Sequence, residues 1–394
     1  MIGISKLYCG TVEPSDPLRY QRHSGKLPSH LLQFSEDKKP VVVFNCTKRC
    51  NLRCIHCYSS SDNSCAPDEL SDDEAKTLID DLATFGSPVL LFSGGEPLMR
   101  PGVLDLATYA RSKGLRVVLS TNGNLITPEL AERFKAIDLS YVGISLDGAT
   151  AEVNDHFRGQ EGAFDKALAA IRHCRAAGVK VGLRLTMSRQ NARDIEAIFD
   201  LLEREDIPRV CFYHLVSAGR GGQMGADALS SEETRTTLDT ILRRTRERHD
   251  AGKPLEVLTV DNHADGAYLY LKLLEEDPAK AADVYKLLQM NGGNGSGISI
   301  GCVSWNGDVH PDQFWRTRTV GNIRSIPFSE IWTSDDTPLL PELRRRKDLL
   351  ECRCQRCRFL DICNGNLRAR SDFCGNGTWG DDPGCYLTDE EITE

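Results

Sequence analysis

No apolar run among the 394 residues approaches the ~20 needed to cross a bilayer, so no helical membrane span is expected. The segment Met1–Gly10 lacks the apolar stretch and cleavage site of a secretory signal peptide, and a cytoplasmic protein is expected. Positive charge is not in excess. The chain has 48 Lys and Arg against 57 Asp and Glu, a net charge of −9, and nucleic-acid binding wants a basic face. No internal repeat is visible beyond an alternation of strand-like and helix-like segments. Hydrophobic residues make up 40% and charged residues 27%, an ordinary globular balance. Cysteine is what the chain has in plenty, with 15. A chain of this length needs no disulfide staples, so clustered cysteines point to metal binding. Cys46, Cys50, Cys54 and Cys57 lie near the start; Cys352, Cys354, Cys357, Cys363, Cys374 and Cys385 crowd the end. Cys9, Cys65, Cys174, Cys211 and Cys302 are scattered between them.

Short, near-continuous apolar runs predict parallel strands covered on both faces, at Val41–Cys46, Val89–Ser93, Val117–Thr121, Tyr141–Ser145, Val181–Thr186 and Val210–Leu215. Helical patterns separate them at Ser71–Phe85, Val103–Lys113, Pro128–Ala136, Ala163–Ala177 and Ile195–Glu205. Ser71 with Glu74 makes a capping box, and Pro128 suits a first helical turn. Six such units imply an α/β fold, a partial (β/α)6 or a complete barrel of the TIM type, with chemistry at the C-terminal strand ends. The expected organisation is an N-terminal arm (1–40), the barrel (41–220), a helical connector (221–297) and a small Cys-rich domain (298–394). In the connector, Ser230–His249 and Tyr268–Met290 read as two polar helices, and the glycine-rich Asn291–Gly297 as a flexible link. A strand is expected at Ile298–Val303, and the run Arg344–Lys347 on the solvated face of a helix.

Cys50, Cys54 and Cys57 have the spacing C-x3-C-x2-C and follow the first strand. Four thiolates saturate a 4Fe–4S cluster, whereas three leave one iron open to a small molecule. A zinc knuckle is the alternative and needs a fourth ligand, for which Cys46 and His56 are nominal candidates. The segment CNLRCIHCY resembles the signature of the radical S-adenosylmethionine (AdoMet) enzymes. Further motifs follow on successive strand ends: Ser93-Gly94-Gly95-Glu96-Pro97, Ser120-Thr121-Asn122-Gly123, Ser145-Leu146-Asp147-Gly148, and Arg184 on the fifth strand. The resemblance covers about residues 41–216. It implies that Cys50, Cys54 and Cys57 hold a 4Fe–4S cluster. It also implies that Gly94, Gly95, Glu96, Thr121, Asn122, Ser145, Asp147 and Arg184 bind AdoMet. The implied chemistry is reductive cleavage of AdoMet to methionine and a 5′-deoxyadenosyl radical, which takes a hydrogen atom from the substrate. A low-potential electron donor such as ferredoxin or flavodoxin is implied with it.

At the other end, Cys354-x2-Cys357-x5-Cys363, followed by Cys385, resembles the SPASM-type auxiliary-cluster domain carried by many of these enzymes. The resemblance implies a second 4Fe–4S cluster on these four cysteines, with Cys352 and Cys374 as spare candidates and a structural zinc site as the alternative. Two-cluster SPASM domains have cysteines where this chain has Leu367 and Asp312. Two clusters in all are therefore expected, with Cys302 a buried thiol.

The segment Leu18–His30, with Arg19, Arg22, His23, Lys26 and His30, together with Val309–Trp315, resembles the radical AdoMet enzymes that modify tetrapyrroles. The nearest resemblance is to the didecarboxysiroheme deacetylases of the alternative heme pathway, which implies conversion of 12,18-didecarboxysiroheme to Fe-coproporphyrin III by removal of acetate side chains. Such a substrate suits cationic partners for its carboxylates and an imidazole for its iron. His23, His30, His214 and His310 are candidates for the latter. The alternatives are a sibling tetrapyrrole enzyme (dihydroheme pathway or propionate decarboxylase), a peptide-modifying SPASM maturase, and a non-enzymatic iron–sulfur carrier or zinc scaffold.

Overall fold

Apolar runs that must be covered on both faces end up side by side in one sheet. The computed structural model describes residues 1–11 and 39–393. Its strands begin with β1 (Ile2–Gly3), β2 (Val41–Asn45), β3 (Val89–Ser93), β4 (Arg116–Thr121) and β5 (Tyr141–Ser145). They continue with β6 (Val181–Met187), β7 (Arg209–His214), β8 (Glu256–Val260), β9 (Ile300–Val303), β10 (Asp308–His310) and β11 (Gly321–Asn322). The sheet order is β1-β8-β7-β6-β5-β4-β3-β2-β9-β10-β11. Strands β2 to β9 pair in parallel and β1, β10 and β11 antiparallel. The capping box forms as expected, with Glu74 N–H donating to Ser71 Oγ and Ser71 N–H to the Glu74 carboxylate. Residues of β9 and β8, at opposite ends of the eight-strand parallel run, face one internal cavity with residues of all six strands between. The sheet therefore curls into a partial barrel, and residues 294–296 and 312–314 close its open side.

Four expectations are corrected. Residues 256–260, inside the expected helical connector, form β8, whose short run EVLTV is buried between β7 and β1. The expected helix Tyr268–Met290 is two helices, Ala264–Glu276 and Pro278–Asn291. Pro278 cannot continue the ladder, and the Asp277 carboxylate caps the second helix through Lys280 N–H, 3.1 Å away. The glycine-rich Asn291–Gly297 is a packed segment, not a flexible link. Asn294 donates its backbone N–H to Cys363 O at 3.0 Å, and a Cβ on Gly293 would stand 2.4 Å from the same carbonyl, so only glycine permits that approach. Within Arg344–Lys347, Arg346 is buried. Its guanidinium donates to Leu343 O, Asn294 Oδ1 and Ser296 O, tying the Cys-rich domain to that segment, and burial pushes its pKa down to about 9.

Candidate active site

The loop after β2 carries Cys50, Cys54 and Cys57, and the loop after β3 carries Gly94 and Gly95. The two loops touch through backbone. Gly95 N–H donates to Thr47 O and Glu96 N–H to Arg49 O, both at 2.8 Å. A Cβ would lie 2.5 Å from Thr47 O at Gly94 and 2.2 Å from Arg49 O at Gly95, so paired glycines are a steric requirement here. The three thiols line a cavity of about 170 Å³ together with Gly94, Gly95, Thr121, Asn122, Ser145 and Arg184. The expected AdoMet residues thus meet the cysteines at the C-terminal strand ends.

Glu96 and Asp147 are the exceptions, because their carboxylates turn away from the cavity and brace its walls. Glu96, fully buried, accepts from Thr121 Oγ1 and Asn122 N–H, both at 2.8 Å, and from Leu98 N–H at 3.1 Å. It joins the ends of β3 and β4, and burial pushes its pKa up to about 7. Asp147, also fully buried, accepts from Thr186 N–H at 2.8 Å and lies 2.5 Å from Arg158. His56 Nε2 is 3.4 Å from the same carboxylate, and burial holds that imidazole neutral, pushed down to about 4.

The donor set fits a cluster. Burial raises the thiol pKa of Cys50, to about 12, and of Cys54, so without a metal both sulfurs stay protonated. Each sulfur also has a donor aimed at it: Leu52 N–H at 3.4 Å on Cys50, Arg158 Nη1 at 3.7 Å on Cys54, and the Ser59 hydroxyl 3.3 Å from Cys57. Cys46, nominal fourth ligand of a zinc knuckle, instead donates its thiol to Ser93 O at 3.4 Å. Among the described residues no three Cys, His, Asp or Glu side chains converge as a single-ion site.

In the Cys-rich domain Cys354, Cys357, Cys363 and Cys385 are electrostatic neighbours, and burial raises the pKa of each thiol. Cys352 and Cys374 are exposed. Leu367 is a buried wall residue, and Asp312 accepts from Ser296 Oγ and from the Phe314 and Trp315 N–H groups. Neither position offers a sulfur for a third cluster. Cys302 is fully buried and accepts from Asn45 Nδ2 at 3.3 Å, a buried thiol as expected.

Of the substrate candidates, Arg19, Arg22, His23, Lys26 and His30 lie outside the described residues. His310 is engaged by protein partners on both ring nitrogens. One ring nitrogen is 2.9 Å from Ser304 Oγ, the other 3.0 Å from Arg318 O, and it lines neither barrel cavity. His214 does line the cysteine-lined cavity, with Nε2 2.9 Å from Asp265, whose other oxygen accepts from Tyr386, next to Cys385.

A family model for the radical SAM superfamily matches residues 44–202, and one for the SPASM iron-sulfur cluster-binding domain matches residues 299–358. Over 100% of this chain and 99% of its own length, an Fe-coproporphyrin III synthase from Methanosarcina barkeri is 62% identical. The chain belongs to the radical SAM enzymes. A pre-heme d1 synthase from Dinoroseobacter shibae is 41% identical over 90% of this chain and 87% of that one. The crystal structure of Streptococcus suis SuiB bound to precursor peptide SuiA superposes with a TM-score of 0.71. It covers 91% of this chain and 79% of that one at 16% identity, a likeness of fold alone. As a radical SAM enzyme with a SPASM domain, the protein binds a 4Fe–4S cluster with AdoMet in the barrel and a further iron–sulfur cluster in the C-terminal domain. No helix among the described residues is long and apolar enough to cross a membrane.

Sequence reasoning missed Asp261, the residue after β8, because it missed β8. Its carboxyl lines the AdoMet cavity in a left-handed backbone conformation (φ 68°), and one oxygen is buried without a partner. Burial pushes its pKa up to about 7, with Asp312 reinforcing the shift and Arg370 and Arg184 opposing it. A carboxyl raised in the folded state stabilises fully below its unfolded value of 3.8 and loses that contribution as pH rises towards 7. The melting temperature of Asp261→Asn is therefore expected to depend less steeply on pH than that of the wild type between about 4 and 7. Parallel curves would show that Asp261 ionises normally.

Proposed function

We propose that this radical SAM enzyme removes the acetate side chains of 12,18-didecarboxysiroheme to give Fe-coproporphyrin III. The observation that carries the reading is the 62% identity, over 100% of this chain and 99% of that one, to an Fe-coproporphyrin III synthase. Cys50, Cys54 and Cys57 hold the AdoMet-binding cluster, and Cys354, Cys357, Cys363 and Cys385 the auxiliary one. Bound at the first site, the cluster and AdoMet would supply a 5′-deoxyadenosyl radical, the hydrogen-abstracting species that starts removal of an acetate side chain. The chain's own part is positional. Gly94 and Gly95 let the cofactor lie against backbone, Thr121, Asn122, Ser145 and Arg184 line its polar side, and Glu96 and Asp147 hold those loops still. Phe314 and Leu215 cover the cavity with apolar surface, which limits water near a reactive radical. A low-potential donor such as ferredoxin or flavodoxin supplies the electron, in the cytoplasm.

The test is an anaerobic assay of the reduced, reconstituted protein with AdoMet and didecarboxysiroheme, read by mass spectrometry. Fe-coproporphyrin III together with 5′-deoxyadenosine is expected. Deoxyadenosine with unchanged tetrapyrrole would move the substrate to a sibling ring, such as that of the pre-heme d1 synthase relative, or to a peptide. Neither product, from protein holding zinc in place of iron, would overturn the reading.

A further inference from the structure

The barrel interior continues from the AdoMet cavity into a larger one of about 370 Å³. Arg184, Tyr213, Asp261 and Phe314 line both, so the two form one continuous lumen. The walls of the larger space are chiefly aliphatic, with Val41, Val89, Leu91 and Val118 among them. Its floor is polar and cationic, built from the first residues of three strands: Arg116 of β4, Tyr141 of β5 and Arg209 of β7.

Two interior glycines make room for this floor. A Cβ on Gly182 would lie 2.6 Å from Tyr141 Oη and 2.9 Å from Arg209 Cβ, and one on Gly143 2.7 Å from Arg184 Cδ. Arg209 lies over the Tyr141 ring, 4.5 Å from its centroid, and 3.4 Å from Glu256. Even so, Arg209 Nε and Tyr141 Oη are buried with no hydrogen-bond partner. The Arg116 guanidinium has no ion pair or hydrogen bond among the described residues. Burial and the neighbouring guanidiniums of Arg209 and Arg111 push its pKa down, against the attraction of the Glu256 carboxylate. Towards the AdoMet end, Asp261 Oδ2, His263 Nδ1 and Gln313 Oε1 are buried and unpartnered too. Buried polar atoms normally find partners, and five orphans around one cavity call for a ligand that supplies them.

We infer that this lower lumen is part of the substrate site, its aliphatic walls taking one edge of a tetrapyrrole macrocycle and the Arg116–Tyr141–Arg209 floor receiving a side-chain carboxylate. Guanidinium and phenol N–H and O–H groups donate to such an anion, and the fork of Arg209 suits a carboxylate better than a point charge does. The inference rests on the tetrapyrrole reading above and adds where the ring is held and by which residues.

The test titrates the full-length, anaerobically reconstituted chain with iron coproporphyrin III and follows the Soret band. Arg116→Gln and Arg209→Gln are each expected to weaken binding by about 10- to 100-fold, the loss of one charge-assisted hydrogen bond. Arg209→Lys is expected to fall between Arg209→Gln and the wild type. The tetramethyl ester should bind the wild type as weakly as the free acid binds the glutamine variants. Circular dichroism and thermal melting check folding, and Arg116→Gln removes no hydrogen bond or ion pair of that side chain among the described residues. Variants that bind the acid like the wild type, or an ester that binds like the acid, would overturn the floor as the carboxylate receptor while leaving the tetrapyrrole reading intact. A wild-type chain that binds no carboxylated tetrapyrrole would overturn that reading, and this inference with it.

Discussion

Replacing Cys54 by alanine is expected to abolish 5′-deoxyadenosine formation and to lower the iron content from about eight to about four atoms per chain, one 4Fe–4S cluster in place of two. Cys54 is buried, its thiol lines the AdoMet cavity, and two cysteines leave two irons of the cluster without protein ligands. Cys363→Ala should show the same iron loss from the other domain, and the two effects should add. Cys46→Ala is the control. Its sulfur is engaged with Ser93 O, so both clusters should persist, whereas a zinc knuckle using Cys46 would lose its metal. Iron analysis with electron paramagnetic resonance of the reduced protein separates these outcomes, since each cluster has its own signal. Unchanged iron in Cys54→Ala would remove the C-x3-C-x2-C loop from the site.

The second large effect is on stability. Asp147→Ala is expected to destabilise the chain by about 3–5 kcal/mol, the usual result of leaving one half of a buried ion pair alone. Asp147 is fully buried, and Arg158, 2.5 Å away, is nearly so. Without the carboxylate the guanidinium loses its ion-pair partner and keeps only its hydrogen bond to Cys54, and Thr186 N–H loses its acceptor. Asp147→Ala/Arg158→Met should recover most of the loss, because both charges go and only the Thr186 amide stays unpaired. Urea unfolding of the anaerobically reconstituted protein measures both variants. A double variant as unstable as the single one would show that the hydrogen bond to Thr186, and not the ion pair, carries the effect.

The two variants sample different degrees of legibility. Cys50, Cys54 and Cys57 belong to one short loop, and a cluster that needs three thiolates close together leaves its trace in local spacing. Gly94 and Gly95 are legible for a related reason, since two loops that touch through backbone exclude a Cβ. The strands from β2 to β7 could be read because burial on both faces demands an unbroken apolar run. Strand β8 could not, because its run opens on Glu256, lies among polar helices, and becomes buried only through its neighbours β1 and β7. Arg346 illustrates the opposite error: a charge run normally faces solvent, and only the carbonyls of Leu343 and Ser296 and the Asn294 side chain make an inward guanidinium tolerable.

Residue type and spacing, then, determined the cofactor chemistry and the barrel, because metal ligation and strand burial are both written in local pattern. The tertiary structure decided which way the carboxylates point and what fills the lumen. Glu96 and Asp147 stand in motifs that suggest AdoMet contact, yet their orientation follows from backbone amides and an arginine supplied by other loops. Arg116, Tyr141 and Arg209 open three separate strands and share no motif. Only the curl of the sheet brings them to one floor, and only the missing side chains of Gly143 and Gly182 leave them room there.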